Sequence, residues 1–182
     1  LFWYRRLFAI VHQDVQLFDT TIANNIRYGC KEASDEDVLR AIKASHLEIT
    51  LDNHDRFPDG IQTEVGERGI RLSGGEKQRV GIARAYIALL YGAKVLILDE
   101  ATSSLDSEAE KAIQNMLDEL RQNASIAIIA IAHRLSTIKK ADVICVISDG
   151  QIIERGNHIR LMQRNGLYSR LAELQNLGDL RE

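Results

Sequence analysis

The chain has two cysteines, one proline and no apolar run long enough to cross a bilayer. Cys30 and Cys145 have no metal-like spacing and read as small, half-buried residues. Such sparse use of cysteine fits a reducing cytosol. The longest apolar stretches, Ile126–Ala132 and Val95–Leu98, fall far short of the roughly 20 residues a membrane span needs, which excludes a transmembrane helix. The first residues do not read as a secretory signal peptide either. Charge of one sign is also missing: the net charge is −3, so no basic surface points to a nucleic acid. Finally, none of the 12 glycines is followed by lysine. The sequence therefore contains no Gly-x-x-x-x-Gly-Lys phosphate loop.

What remains is an ordinary globular composition, with 45% apolar and 27% charged residues in 182. That length suffices for one domain with a sizeable core. The start at Leu1, inside an apolar stretch, predicts a boundary cut from a longer chain.

The hydrophobic pattern alternates between strand and helix. Leu7–Val11, Val95–Leu98, Ile126–Ala132 and Val143–Ile147 read as strands, the second and third as buried on both faces. Thr20–Arg27, Asp35–Ala44, Gly75–Leu90, Ser107–Gln122 and the tail from His158 to Leu177 read as helices. Ser34 supplies an N-cap for the second, with acidic residues in its first turn. His54–Gly69 holds Pro58 and three glycines and reads as a surface loop. Asp149-Gly150 signals a hairpin between Val143–Ile147 and Gln151–Glu154. Alternating order with buried strands predicts an α/β architecture with parallel pairing in the core.

Three places carry chemistry. In Leu72-Ser73-Gly74-Gly75-Glu76-Lys77-Gln78-Arg79, a hydroxyl and two glycines precede a helix. Glycines allow close backbone approach, and the helix start presents unsatisfied N–H groups to a phosphate. In Val95-Leu96-Ile97-Leu98-Asp99-Glu100, a buried strand ends in two carboxylates. Asp99 can hold magnesium through oxygen, and Glu100 can orient or deprotonate a water. Strand ends in such sheets face the ligand crevice, which brings in His133 and Gln13. Each residue taken alone is also compatible with a plain polar terminus or cap.

The ordered combination resembles the nucleotide-binding domain of ABC transporters. Gln13, within Val11–Phe18, resembles the Q-loop. Thr63–Gly69 is similar to the X-loop of exporters, and Leu72–Glu76 to the ABC signature. Val95–Glu100 resembles Walker B with the catalytic glutamate. Ser103-Ser104-Leu105-Asp106 is similar to the D-loop, and His133 within Ile131–Thr137 to the H-loop. The X-loop and the tail Glu154–His158 look most like exporters whose membrane and ATPase domains share one polypeptide.

The resemblance implies a RecA-like P-loop NTPase core, partial because the Walker A segment is lacking, with an inserted α-helical signature subdomain. Residues 20–92 would form that subdomain, residues 1–19 and 93–156 the core sheet part, and residues 157–182 the C-terminal helices. ATP and Mg2+ are the implied cofactors. Gln13 and Asp99 would ligate magnesium, Glu100 would act on the attacking water, and His133 would contact the γ-phosphate. Ser73, Gly74, Gly75 and Glu76 would face ATP held by the opposite subunit, and Asp106 would work across that interface. The implied partners are a second nucleotide-binding domain in a head-to-tail dimer and the transmembrane domains of the same transporter, with Glu64 and Glu67 near their coupling helices. The implied location is the cytoplasmic face of a membrane.

The sequence departs from the family pattern in four places. The phosphate loop is absent, so binding of ATP to this chain's own half-site is expected to be very weak, and apolar sheet surface is expected to lie bare. His12 stands where many relatives have proline or serine. Glu76 replaces the more usual glutamine. Tyr86–Lys94 is longer than usual, which predicts a shifted helix register or a longer loop. Trp3 and Tyr4 lie after the place of the missing loop and read as core or surface residues. Two functions follow: a C-terminal part of an exporter ATPase, inactive alone, or a non-enzymatic module that lends its signature to a partner's ATP. A soluble relative acting on ribosomes or DNA is disfavoured by the X-loop and the lack of basic clusters.

Overall fold

The structure is a computed structural model and describes residues 2–101, 106–123, 126–132 and 134–179. It divides into two compact units, Leu1–Ile131 and Ala132–Glu182.

The first unit opens with a short helix, α1 (Phe2–Arg5), on which Trp3 and Tyr4 are exposed. Strand β1 (Phe8–Val11) follows. A helical region comes next: α2 (Ile22–Arg27), α3 (Asp35–Ala44), α4 (Glu48–Leu51) and the long α5 (Gly74–Leu90). The unit closes with β2 (Val95–Asp99), α6 (Ser107–Asn123) and β3 (Ala127–Ile131). The helices start where side chains can cap them. Thr21 accepts from the backbone of Asn24, and Ser34 and Asp37 form a reciprocal capping box at α3. The expected surface loop His54–Gly69 contains two short 3-10 turns, Gly60–Gln62 and Glu67–Gly69. It is pinned to the start of α2 by a bridge between Thr21 and Glu64.

The three strands form one parallel sheet in the order β1-β2-β3. Ala9, Val11, Leu96 and Leu98 are buried in the main core with Val80, Ile82, Ile87, Ile113 and Leu117 of α5 and α6. Among the described residues of this unit nothing covers the opposite face. Ile10 is 45% exposed, Ile129 55% and Ile131 56%. The reading of Ile126–Ala132 as a strand buried on both faces is thus corrected. Helices of this unit pack on one face of the sheet only, and β3 is its edge. The other face leaves apolar side chains exposed on the sheet. Tyr86–Lys94 forms the end of α5 and a short turn in which Gly92 takes a φ of 106°. Tyr91, beyond the last turn, donates from its hydroxyl to Asp37 at 2.8 Å, tying the end of α5 to the start of α3.

The second unit contains α7 (Leu135–Ile138), an antiparallel hairpin of β4 (Ile144–Ser148) and β5 (Gln151–Gly156), and helices α8 (His158–Gln163) and α9 (Leu167–Asp179). The turn Asp149-Gly150 has positive φ at both residues, 50° and 75°, as a type I′ hairpin requires. The expected C-terminal helices are α8 and α9, separated at Asn165, with a φ of 51°, and Gly166. Among the described residues no helix is long and apolar enough to cross a membrane.

Candidate functional site

Parallel register carries the residues after β1 and β2 to the same edge of the sheet, because Val11 lies beside Leu98. The side-chain amide of Gln13 donates to the Glu100 carboxylate at 2.9 Å, across 87 residues of sequence. With its N–H group on Glu100, the Gln13 amide keeps Oε1 as its acceptor atom. Glu100 has a φ of 49°, a left-handed conformation that costs a non-glycine residue about 1–2 kcal/mol. Its backbone N–H donates to Ile131 at the end of β3 at 2.9 Å, which fixes the turn beyond the strand. Asp99, half-buried, pairs in register with the same Ile131. The carboxylates of Asp99 and Glu100 and the Oε1 of Gln13 are oxygen donors, the kind a hydrated magnesium ion takes. Among the described residues no group of three His, Cys, Asp or Glu side chains is poised to enclose a metal.

The second element is the start of α5. Ser73 is the N-cap: its hydroxyl accepts from the Glu76 N–H at 3.3 Å, and the Glu76 carboxylate accepts from the Ser73 N–H at 2.7 Å. The same carboxylate takes both arms of Arg56, at 2.6 and 2.9 Å, and Arg56 also donates to the Arg71 carbonyl at 2.8 Å. Ser73 and Gly74 are exposed and Gly75 is half-buried, whereas Glu76 is buried. Ser73, Gly74 and Gly75 thus lie toward the surface, while the Glu76 carboxylate reaches back to the Ser73 N–H and is buried against Arg56. A carboxylate facing a phosphate would be repelled; held by Arg56, Glu76 instead shapes the turn that presents the other three. A Cβ added at Gly74 would meet nothing within 4 Å, so the space above the helix start is open.

Asp106 caps α6: its carboxylate accepts from the Ala109 N–H at 2.8 Å. It also pairs with Arg79 of α5, which in turn donates to the Thr50 hydroxyl at 3.2 Å. The Ala109 N–H, aided by Arg79, holds the Asp106 carboxyl below the ordinary aspartate range. A group depressed in the folded state contributes stability above its unfolded pKa and loses it as pH falls through the folded one. Asp106→Ala is expected to cost about 1 kcal/mol at pH 7, chiefly the lost cap, since so exposed an ion pair adds little. The difference between the two proteins should shrink as pH drops below the aspartate range. Urea melts at pH 7 and in strong acid check this; a cost unchanged in acid would remove the carboxylate from the explanation. His133 lies outside the described residues, as do Ser103, Ser104 and Leu105.

Sequence reasoning missed Arg56, and took Gln78 and Arg79 only as letters of a motif. Only the capping box left a signal, in the Ser-x-x-Glu spacing of Ser73 and Glu76. The family model for the ABC transporter matches residues 3–103. The chain belongs to the ABC transporter family. Over 94% of its length this ABC transporter segment is 51% identical to the ATP-dependent lipid A-core flippase of Vibrio vulnificus (strain CMCP6), covering 28% of that protein. It is 49% identical over 96% of its length to ABC transporter B family member 17 of Arabidopsis thaliana, covering 14% of it. Among solved structures, a bacterial Atm1-family ABC exporter with ATP bound superposes with a TM-score of 0.85 at 41% identity, over 94% of this chain and 29% of that one. The ABC segment thus spans less than a third of each relative. It is an exporter-type nucleotide-binding domain, and its α/β fold is that of a partial RecA-like core.

Proposed function

We propose that this chain is the part of an exporter ATPase that supplies the water-activating carboxylate to one ATP and the signature surface to another. The observation that carries the reading is the Gln13–Glu100 hydrogen bond at the strand ends, with an open helix start at Ser73–Gly75 on the same unit. Asp99 and Gln13 would hold magnesium, Glu100 would orient the attacking water, and His133 would contact the γ-phosphate. Ser73, Gly74 and Gly75 donate to the phosphate of ATP held by a second nucleotide-binding domain, using the helix N-terminus. Asp106 serves the same interface. Bound ATP supplies the phosphoanhydride whose cleavage powers transport, and magnesium neutralises its charge. The transmembrane domains of the transporter would receive the motion through the X-loop, where Glu64 and Glu67 are exposed. In this reading the chain works at the cytoplasmic face of a membrane, and the flippase relatives suggest lipid-like cargo.

The open helix start also supports a second reading, in which the chain acts only in trans. One experiment separates the two. The isolated chain is expected to show no measurable ATP turnover; turnover that disappears in Glu100→Gln would overturn that expectation. Added to a complete exporter nucleotide-binding domain, it is expected to raise that domain's turnover. Gly74→Asp should abolish the increase, because a carboxylate then occupies the phosphate space. This variant should fold normally, since its Cβ meets no neighbour and an acidic residue suits a helix start. An increase that survives Gly74→Asp sinks the in-trans role of the signature.

A further inference from the structure

The loop after β1 does not hang free at the sheet edge; it lies along α5 and is gripped there at successive turns. At one end, the Gln78 side-chain amide donates to the carbonyl of His12 at 3.2 Å and also to the carbonyl of Gln13. One turn on, Gly81 leaves room for Val15, whose Cγ2 would sit 2.7 Å from any Cβ placed there. At the far end, Arg84 donates to the Gln16 carbonyl at 3.2 Å and to Asn25 at 3.0 Å. Gln78 is only 2% exposed, and among the described residues its own Oε1 has no hydrogen-bond partner. Two carbonyl neighbours leave no choice of amide orientation, because only N–H groups can face them. A buried amide with an unpartnered oxygen is a poor contribution to stability, and an apolar side chain would fill the same volume without that cost.

We propose that Gln78 is a positioning residue that couples the signature surface to the hydrolytic carboxylate. Ser73 and Gln78 lie on one rigid helix, about 7–8 Å apart along its axis. Gln78 holds the backbone of Gln13, and the Gln13 side chain holds Glu100 at 2.9 Å. A shift of α5 when Ser73–Gly75 engages a partner's phosphate therefore moves Gln13 and, through it, Glu100. The chain of contacts runs from the trans half-site to the cis half-site within one domain. It rests on the proposed function for the meaning of its two ends, but the link itself is a matter of geometry.

The side-chain amide signals of Gln13, in the 15N-labelled 182-residue chain, read this link directly. Glu100→Ala gives the reference for a released Gln13. Gln78→Met, which keeps the volume and removes the donor, is expected to move the Gln13 signals to that reference position while the amides of α5 beyond Val80 keep theirs. If the Gln13 signals stay at the wild-type position in Gln78→Met, the proposal is overturned. The second arm adds an unlabelled, ATP-loaded complete nucleotide-binding domain that cannot hydrolyse. In the wild type the Ser73–Gly75 amides and the Gln13 side-chain signals should both respond; in Gln78→Met only the amides should. Equal Gln13 responses in both proteins overturn the coupling. If the Ser73–Gly75 amides themselves do not respond, the proposed in-trans function fails instead, and the first arm still decides the link.

Discussion

Truncating Arg56 to alanine lowers the stability of the chain by about 1–3 kcal/mol, and adding Glu76→Gln to that variant recovers most of the loss. The reason is one-sided burial. The Glu76 side chain is 11% exposed, while that of Arg56 is 44% exposed. Without Arg56 a charged carboxylate stays in a buried position with the Ser73 N–H as its remaining named donor. Breaking a fully buried pair costs about 3–5 kcal/mol, and the half-exposed arginine reduces that figure because water can replace part of it. Glutamine at 76 keeps an oxygen for the Ser73 N–H and removes the charge that needed a partner. Urea denaturation of the wild type, both single variants and the double variant forms the test. Strictly additive losses would show that the pair does not act as a unit. The structural consequence concerns function: the same contacts set the shape of the turn that presents Ser73, Gly74 and Gly75.

Gly29→Ala costs about 3 kcal/mol, at the upper end of what overpacking a core usually costs. The backbone there has an ordinary negative φ, so conformational freedom is not the issue. A Cβ would sit 2.2 Å from the carbonyl oxygen of Arg84 and 3.3 Å from the backbone nitrogen of Ala88. Both are backbone atoms within α5, which cannot swing aside as the tip of a side chain can. The end of α2 would have to move off α5, disturbing the core that holds Ile22, Ala23 and Ile26. Gly74→Ala is the control. Its Cβ meets nothing, and alanine favours a helix over glycine, so that variant should be neutral or slightly stabilised. Thermal melts of the two variants against the wild type check the contrast; a loss at Gly29 no larger than at Gly74 would refute the close approach.

Local chemistry made much of the fold legible. Ser34 and Ser73 marked the starts of α3 and α5 because a small hydroxyl before an amphipathic run satisfies helix N–H groups regardless of distant partners. Asp149-Gly150 marked the hairpin because positive φ at two successive residues is a property of those residues themselves. The same local logic separates α8 from α9 at Asn165-Gly166, within the helical tail. β3 was legible as a strand but not in its environment: a run of isoleucines looks alike whether one face or both are covered, and its outward face here is exposed.

The sequence by itself determined the order of the motifs, the ends of the strands that carry Gln13, Asp99 and Glu100, and the family to which they point. Spacing along a strand or a helix turn is enough for these, since backbone geometry repeats at fixed intervals. Only the tertiary structure decided which groups meet. Arg56 with Glu76, Gln78 with the backbone of Gln13, Gln13 with Glu100, and Arg79 with Asp106 are pairs from 20 to 87 residues apart. They meet because α5 packs beside β1 and the loop that follows it, and because parallel pairing of β1 with β2 brings two strand ends to one edge. Packing of that kind is set by buried area and shape over the whole unit, not by any residue's neighbours in the chain.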